Sequence, residues 1–395
     1  MAVQSTIRRI YWYRALDDFV LMYPYYSVFM ASKGLSVFQI STLLVLWSAV
    51  DLVTNVPTGV LADKYSRKTL IGIGQLLKAA SFVVWLLYPT YAGFALGFVL
   101  WGVGGALTDG AFEALVYDEL KAVGQERQYV KVTGRAHTFA MIGDLAATLI
   151  AGVAIALGYN VLLAASIAVV LVSAGVIFTL PETPRVEEVA DTGYFAMLGA
   201  GIREAVHNRT VLGIIMLVGF IGAIYGSLEE YVPLFIQQTG TGLTVVAWGV
   251  GATIAAAALG SFVAHRFEAL ASAKFIIMLG LSGAMMLAAG IVGGGAAVLL
   301  LVGYSFLIRL LQQIYDGKLQ HSIGSGLRAT VTSVSGFAVE LLSIATYFAY
   351  GLIADRSGNF GGFAAFGGVV VVVAGLYLLV APRILASKSL KAAAD

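Results

Sequence analysis

The chain has no cysteine, only 7 prolines in 395 residues, and just 12% Asp, Glu, Lys and Arg. Without cysteine there is no disulfide, no thiolate nucleophile and no thiolate-held metal. Soluble domains carry roughly 25% charged residues. A chain with so few cannot clothe a water-facing surface, which excludes a soluble enzyme, a nucleic-acid binder and a disordered polypeptide. A formal charge of +2 gives no reason to expect a polyanionic partner. The four histidines form no His-Glu-x-x-His or similar ligand spacing, so no metal and no cofactor are expected. No Gly-x-x-x-x-Gly-Lys-Ser/Thr loop is present, so ATP is not a direct energy source.

What the chain does have is apolar length. Hydrophobic residues make up 59% of it, and mean hydropathy is +0.88. A helix needs about 20 apolar residues to cross roughly 30 Å of hydrocarbon. Twelve stretches qualify, at about 10–32, 37–62, 69–88, 91–118, 130–156, 160–180, 210–237, 243–265, 273–291, 296–320, 328–353 and 360–382. They are continuously apolar and do not alternate with period two, so the expectation is an all-α membrane protein and not a barrel. With the N-terminus placed inside, only Lys33 and Arg356 among the 24 cations fall in outer loops. Four more, Arg14, Lys78, Arg135 and Arg309, lie within spans, and all the others lie on inner segments. That asymmetry predicts both termini on the cytoplasmic side of a cell membrane. The first apolar stretch is too long for a signal-peptide core and is expected to remain as the first span.

The longest polar segment lies between spans six and seven, and residues 194–206 within it are expected to form a short amphipathic helix. The domain reading is an N-terminal six-helix bundle at 1–182, a linker at 183–208 and a C-terminal bundle at 209–395. The halves echo each other. Asp17-Asp18 precede Pro24 in span 1, and Glu229-Glu230 precede Pro233 in span 7. Tyr117-Asp118 and Tyr315-Asp316 end spans 4 and 10, while Arg135 and Arg328 open spans 5 and 11. Repeats of this kind set a substrate site at their interface near the bilayer midplane.

After span 2 comes Gly59-Val60-Leu61-Ala62-Asp63-Lys64-Tyr65-Ser66-Arg67-Lys68. This resembles the loop 2–3 signature of the major facilitator superfamily, with Ser66 where the family has Gly. A partial echo, Gly351 to Arg356, ends span 11. The resemblance covers essentially the whole chain and implies two pseudo-symmetric six-helix bundles. It also implies that spans 1, 4, 7 and 10 line a central cavity and that this loop latches the halves at a cytoplasmic gate. That role falls on Gly59, Asp63, Arg67 and Lys68. Asp118 with Arg135 and Asp316 with Arg328 are expected as matched pairs at the same end.

Nine carboxylates fall inside the spans: Asp17, Asp18, Asp51, Asp109, Glu113, Asp144, Glu229, Glu230 and Glu340. Each charge facing lipid would cost roughly 2.5–3.5 kcal/mol. The total would exceed a typical net stability of about 5–15 kcal/mol. These groups must face water, pair with cations or take up protons. Asp109, Glu113 and Tyr117 are spaced i, i+4, i+8 and share a face of span 4. Two readings stand: coupling-proton carriers, or fixed ion pairs such as Arg14 with Asp17 or Asp18. The proton-coupling candidates are Asp109, Glu113, Asp17, Asp18, Glu229, Glu230, Asp144, Glu340 and the span-5 His137. Lys78 is expected to snorkel or to pair with Asp51, and Arg309 to meet Glu340. The cavity candidates are Tyr23, Tyr26, Tyr117, Tyr231, Arg309, Gln312 and Gln313.

These residues point to a secondary active transporter, not an enzyme, moving a small organic molecule by alternating access. Acids outnumber bases within the spans, which favours export of a cationic or amphipathic compound in exchange for protons. Proton-coupled uptake of a small solute is the rival. Drug–proton antiporters of the superfamily usually carry an Arg in helix 4 and a Gly-Pro-rich motif in helix 5, and this chain has neither. The expected partners are the substrate, protons and the lipid bilayer, with the protein a monomer.

Overall fold

The structure is a computed structural model and describes residues 2–180, 209–267, 272–322 and 328–385. The expected linker and its amphipathic helix lie outside the described residues. What is described is helical, and no strand occurs among those residues. The helices are α1 (Ala2–Asp17), α2 (Tyr26–Ser32), α3 (Val37–Lys64), α4 (Arg67–Leu87), α5 (Tyr91–Lys121), α6 (Tyr129–Ala154) and α7 (Tyr159–Phe178). They continue with α8 (Arg209–Glu229), α9 (Val232–Gln238), α10 (Leu243–Val263), α11 (Ser272–Val292), α12 (Gly294–Ser322) and α13 (Arg328–Leu385).

Nine helices among the described residues are long and apolar enough to cross a membrane, and the bent pair α8–α9 makes a tenth. The 58 residues of α13 would be about 87 Å long as one rod, almost three hydrocarbon thicknesses. Gly358 divides it with φ 71°, a conformation that a residue with a Cβ rarely adopts. With α13 taken as two crossings, and with the more polar α1–α2 pair as one, the architecture is consistent with twelve spans. Large apolar side chains stand exposed on the outer faces, among them Leu299 at 74% and Phe262 at 70%. Such surfaces suit lipid and not water.

Two compact units emerge. One comprises Met1–Asp191 with Thr241–Gly251, the other Thr192–Gly240 with Ala252–Asp395. The first turns of α10 join the first unit through specific contacts. The Tyr25 hydroxyl donates to the Leu243 carbonyl at 2.7 Å, and Trp248 packs over Gly152.

Within the first unit α4 packs on α5 and α7, α3 on α5, and α1 on α6 and α7. Small residues set these crossings. A Cβ on Gly143 would overlap the Ala15 carbonyl, so α6 lies directly against α1. Gly74 and Gly104 face each other in the same way where α4 meets α5. Such contacts replace the hydrophobic driving force that lipid does not supply. In the second unit α13 packs on α8 and α11, and α12 on α11 and α8. The turn at Gly358 is held by the end of α9: the Asn359 amide donates to Gln238 Oε1 at 2.7 Å. The Tyr350 hydroxyl also donates to Asn359 Oδ1 at 3.1 Å.

Candidate functional site

Both acidic doublets sit at breaks in their helices. α1 ends at Asp17, the chain unwinds, and α2 begins only at Tyr26, after Pro24. α8 ends at Glu229, and the chain bends by 49° into α9, which Pro233 opens. A helix C-terminus leaves carbonyls without intrahelical partners, and proline cannot supply an amide to continue the ladder. Each break therefore exposes backbone beside two carboxylates.

In the first unit this backbone is used. Asp17 is 5% exposed. Its Oδ2 accepts from Arg14 Nη1 at 2.9 Å, and its Oδ1 accepts from Lys78 Nζ at 2.8 Å and Gln75 Nε2 at 2.9 Å. Lys78 Nζ donates again to the Asp17 carbonyl at 2.7 Å. The ammonium also lies 5.4 Å from the Tyr23 ring centre. A buried ammonium has three donors to satisfy, and a cation suits the negative end of a helix. The expected partner Asp51 lies within α3, whereas Asp17 sits where α1 ends and offers Lys78 a carboxylate and a freed carbonyl together. Lys78 accordingly binds Asp17, and Asp51 accepts from Asn55 Nδ2 at 2.8 Å. Arg14 Nη2 lies 3.4 Å from Asp18 Oδ2, and its guanidinium lies 5.2 Å from the Phe112 ring centre.

Asp109 completes this cluster from α5. It is exposed, lies within the electrostatic field of Asp17, Arg14, Lys78 and Asp18, and has no cation within ion-pair distance among the described residues. Glu113, one turn further, is also exposed and lies near Tyr129.

The second unit has a smaller cluster. Arg309 Nη1 donates to Gln312 Oε1 at 3.0 Å, and the guanidinium lies 5.5 Å from the Tyr225 ring centre. Glu229 is within electrostatic reach of Arg309 and the Tyr225 hydroxyl. The expected Arg309–Glu340 pair is not formed; Gln312, one turn along the same helix, takes the donor. Glu230, Asp144 and Glu340 are half-buried, while Gln313 and His137 are exposed.

The tyrosine candidates divide. Tyr23 is half-buried at the cluster. Tyr26 packs among Trp85, Phe98 and Trp101, and Tyr231 stacks on Tyr350 at 3.9 Å; both are interior side chains of their units. Tyr117 lies near the end of α5, edge-on to Tyr129 at 5.8 Å.

At the expected gate, Arg67 forms an ion pair with Asp118 and donates to the Ala114 carbonyl at 2.9 Å. Lys68 Nζ donates to the Leu180 carbonyl at 3.1 Å. The start of α4 is thereby tied to the ends of α5 and α7. Asp118 does not pair with Arg135, which is exposed on α6; Arg67 reaches Asp118 first across the α4–α5 contact. Ser66 explains its own departure from the signature: it is the N-cap of α4, accepting from the Thr69 amide. The side chains of Asp63, Asp316 and Arg328 and the surroundings of Gly59 lie outside the described residues. Gln75 was not anticipated; its signal was its place one turn from Lys78 on an otherwise apolar span. Among the described residues no three His, Asp or Glu side chains are grouped to hold a metal ion.

The Major Facilitator Superfamily profile matches residues 10–347. An uncharacterized MFS-type transporter, YxaM of Bacillus subtilis (strain 168), is 26% identical over 129 residues, 31% of each chain. That match therefore spans about a third of the relative's length. Among solved structures, a mutant of the nucleoside transporter NupG superposes with a TM-score of 0.80 at 14% identity, over 95% of this chain and 99% of that one. An inward-facing bacterial homologue of the human lysosomal transporter Spinster gives 0.74 at 14% identity, over 96% of each chain. A D-xylose–proton symporter gives 0.68 at 14% identity, over 95% of this chain and 97% of that one. At these identities the structural likeness concerns the fold.

Proposed function

The chain belongs to the major facilitator superfamily, and from that premise we propose a proton-coupled transporter that moves a small organic molecule across the cell membrane by alternating access. Asp109 is the observation that carries the coupling assignment. In the α1 cluster three carboxylates, Asp17, Asp18 and Asp109, face two cations, Arg14 and Lys78. Asp17 is committed to both cations and Asp18 lies beside Arg14, which leaves Asp109 to take up and release the proton. Protonation there makes the cluster neutral. A cationic substrate binding near it has the same electrostatic effect, so proton and substrate compete, as exchange requires.

This competition favours export of a cationic or amphipathic compound, with both chain ends in the cytoplasm. Exchange of one proton for one monovalent cation moves no net charge and runs on the pH gradient alone, whereas a step that carries one net charge, as with a neutral substrate, also draws about 2.3 kcal/mol from a potential of about 100 mV. Proton-coupled uptake is the second reading. It is supported by the missing helix-4 Arg and helix-5 proline, and by a fold neighbour described as a proton symporter.

Purified protein in proteoliposomes decides between them. A proton gradient should drive substrate against the proton flow in exchange and with it in symport. Loss of coupling in Asp109→Asn, with passive substrate exchange retained, supports the proton site. Coupling that survives the substitution sinks it.

A further inference from the structure

We propose that a recess in the second unit, formed by Gly226 and Glu229 of α8 with Tyr304, Arg309 and Gln312 of α12, holds a neutral, hydroxyl-bearing group of the transported molecule. This rests on the transporter reading and adds the chemistry of one part of the solute.

The space comes from glycine. Gly222, Gly226 and Glu229 stand at i, i+4 and i+7 and share one face of α8. A Cβ on Gly226 would meet nothing within 4 Å, so the room in front of it is open. Glu229, one turn on, is accessible, yet protein surrounds it closely enough to remove much of its hydration. It therefore lines an indentation and not an outer face. A carboxylate and a guanidinium at membrane depth also require that indentation to be wet.

The polar groups around this space are under-used. Arg309 gives one N–H to Gln312 Oε1 at 3.0 Å and lies beside the Tyr225 ring. It makes no ion pair with Glu229, although the carboxylate is within its field. Most of its N–H donors stay available. The Gln312 amide nitrogen lies on the α8 side, 3.8 Å from where a Gly222 Cβ would stand. The Tyr304 hydroxyl is buried, lies within the field of Glu229 and has no hydrogen-bond partner among the described residues. A buried hydroxyl in that state carries a desolvation penalty that a partner from outside the protein would offset.

Charge decides the class of ligand. One acid and one base face the recess among the described residues, since Glu230, the other half of the doublet, lies by Tyr347 together with Glu340. The two charges cancel, so neither an anion nor a cation gains from the recess as a whole. A hydroxyl suits both groups at once. It donates to Glu229 and accepts from Arg309, in the gap that an ion pair would have closed. Adjoining hydroxyls reach Gln312 and Tyr304.

The test is calorimetric binding to purified full-length protein. The probes are D-glucose, ribitol and N-methyl-D-glucamine, all rich in hydroxyls. The controls are cyclohexanol and hexylamine, which lack the hydroxyl array. At least one hydroxylated probe should bind, and the controls should not. Glu229→Gln and Arg309→Met should each weaken that binding about tenfold or more. Gly226→Val gives the sharpest contrast: its Cβ meets no neighbour, so the melting temperature should hold, while the filled recess should no longer bind. The assignment falls if no hydroxylated probe binds, if the controls bind as tightly, or if Gly226→Val binds like its parent. If Gly226→Val fails to fold, parent-like binding by both Glu229→Gln and Arg309→Met overturns it instead. Flux in proteoliposomes separates this from the transporter reading. A probe that binds with this pattern but is not carried leaves the recess standing and sinks transport. A probe carried equally by the parent and Gly226→Val sinks the recess alone.

Discussion

Lys78 on α4 grips both ends of a single residue: its ammonium lies 2.8 Å from the Asp17 carboxylate and 2.7 Å from the Asp17 carbonyl. The side chains are 9% and 8% exposed. One contact neutralises a buried acid and satisfies a carbonyl freed where α1 stops.

Breaking an isolated buried ion pair costs about 3–5 kcal/mol, and loss of Lys78 should cost less than that, because Arg14 still reaches Asp17 at 2.9 Å. Lys78→Met should lower the midpoint of thermal unfolding in detergent by many degrees. Adding Asp17→Asn to it should recover part of the loss, because the two remaining acids, Asp18 and Asp109, then face Arg14 without a third buried carboxylate. A Lys78→Met protein as stable as its parent would contradict the buried pair.

The glycine contacts make a sharper stability prediction. Gly143→Ala places a methyl group into the Ala15 carbonyl. Overpacking of this kind costs about 1–3 kcal/mol. Gly175→Ala meets nothing within 4 Å on α7. It should be neutral or stabilising by up to about 1 kcal/mol, since alanine is the better helix former. Parallel melting curves of the two variants check the contrast.

Ser66 is predicted to matter as a cap. Ser66→Ala should cost about 1 kcal/mol, while Ser66→Gly, which restores the family's usual residue, should cost only a few tenths. Equal losses for both would show that the serine does something besides capping α4.

Arg67 should outweigh its acidic partner. The pair is partly exposed, with side chains at 21% and 32%, so the ion pair itself is worth no more than about 1 kcal/mol. Asp118→Asn should therefore be mild in a melting assay. Arg67→Ala also strips the hydrogen bond from the Ala114 carbonyl and should be the more damaging of the two.

Much of this was legible in the sequence, for reasons that are local. Apolar length gives the spans, and a prolyl residue after each acidic doublet marks where α1 and α8 stop. Arg14 and Asp17 are one turn apart, so their pairing follows from helical spacing alone. Partners across helices were not legible in this way. Lys78 has an acid on each of several neighbouring spans, and only the free carbonyl at the α1 break selects Asp17. Arg135 matched Asp118 by its place in the repeat, yet the α4–α5 crossing brings Arg67 to that carboxylate. The aromatic packing was the least visible part. Trp47 and Trp101 are ordinary membrane aromatics in sequence, and the close approach of α3 and α5 at Gly102 brings their rings to 5.9 Å.

The Gln238 contact at Gly358 ties three pieces of chain together. Any tilt of α9 must carry the corner between the last two crossings with it, because that corner has no slack and its amide is already committed. Spectroscopic labels at the end of α9 and on the segment after Asn359 should hold a constant separation through the whole transport cycle.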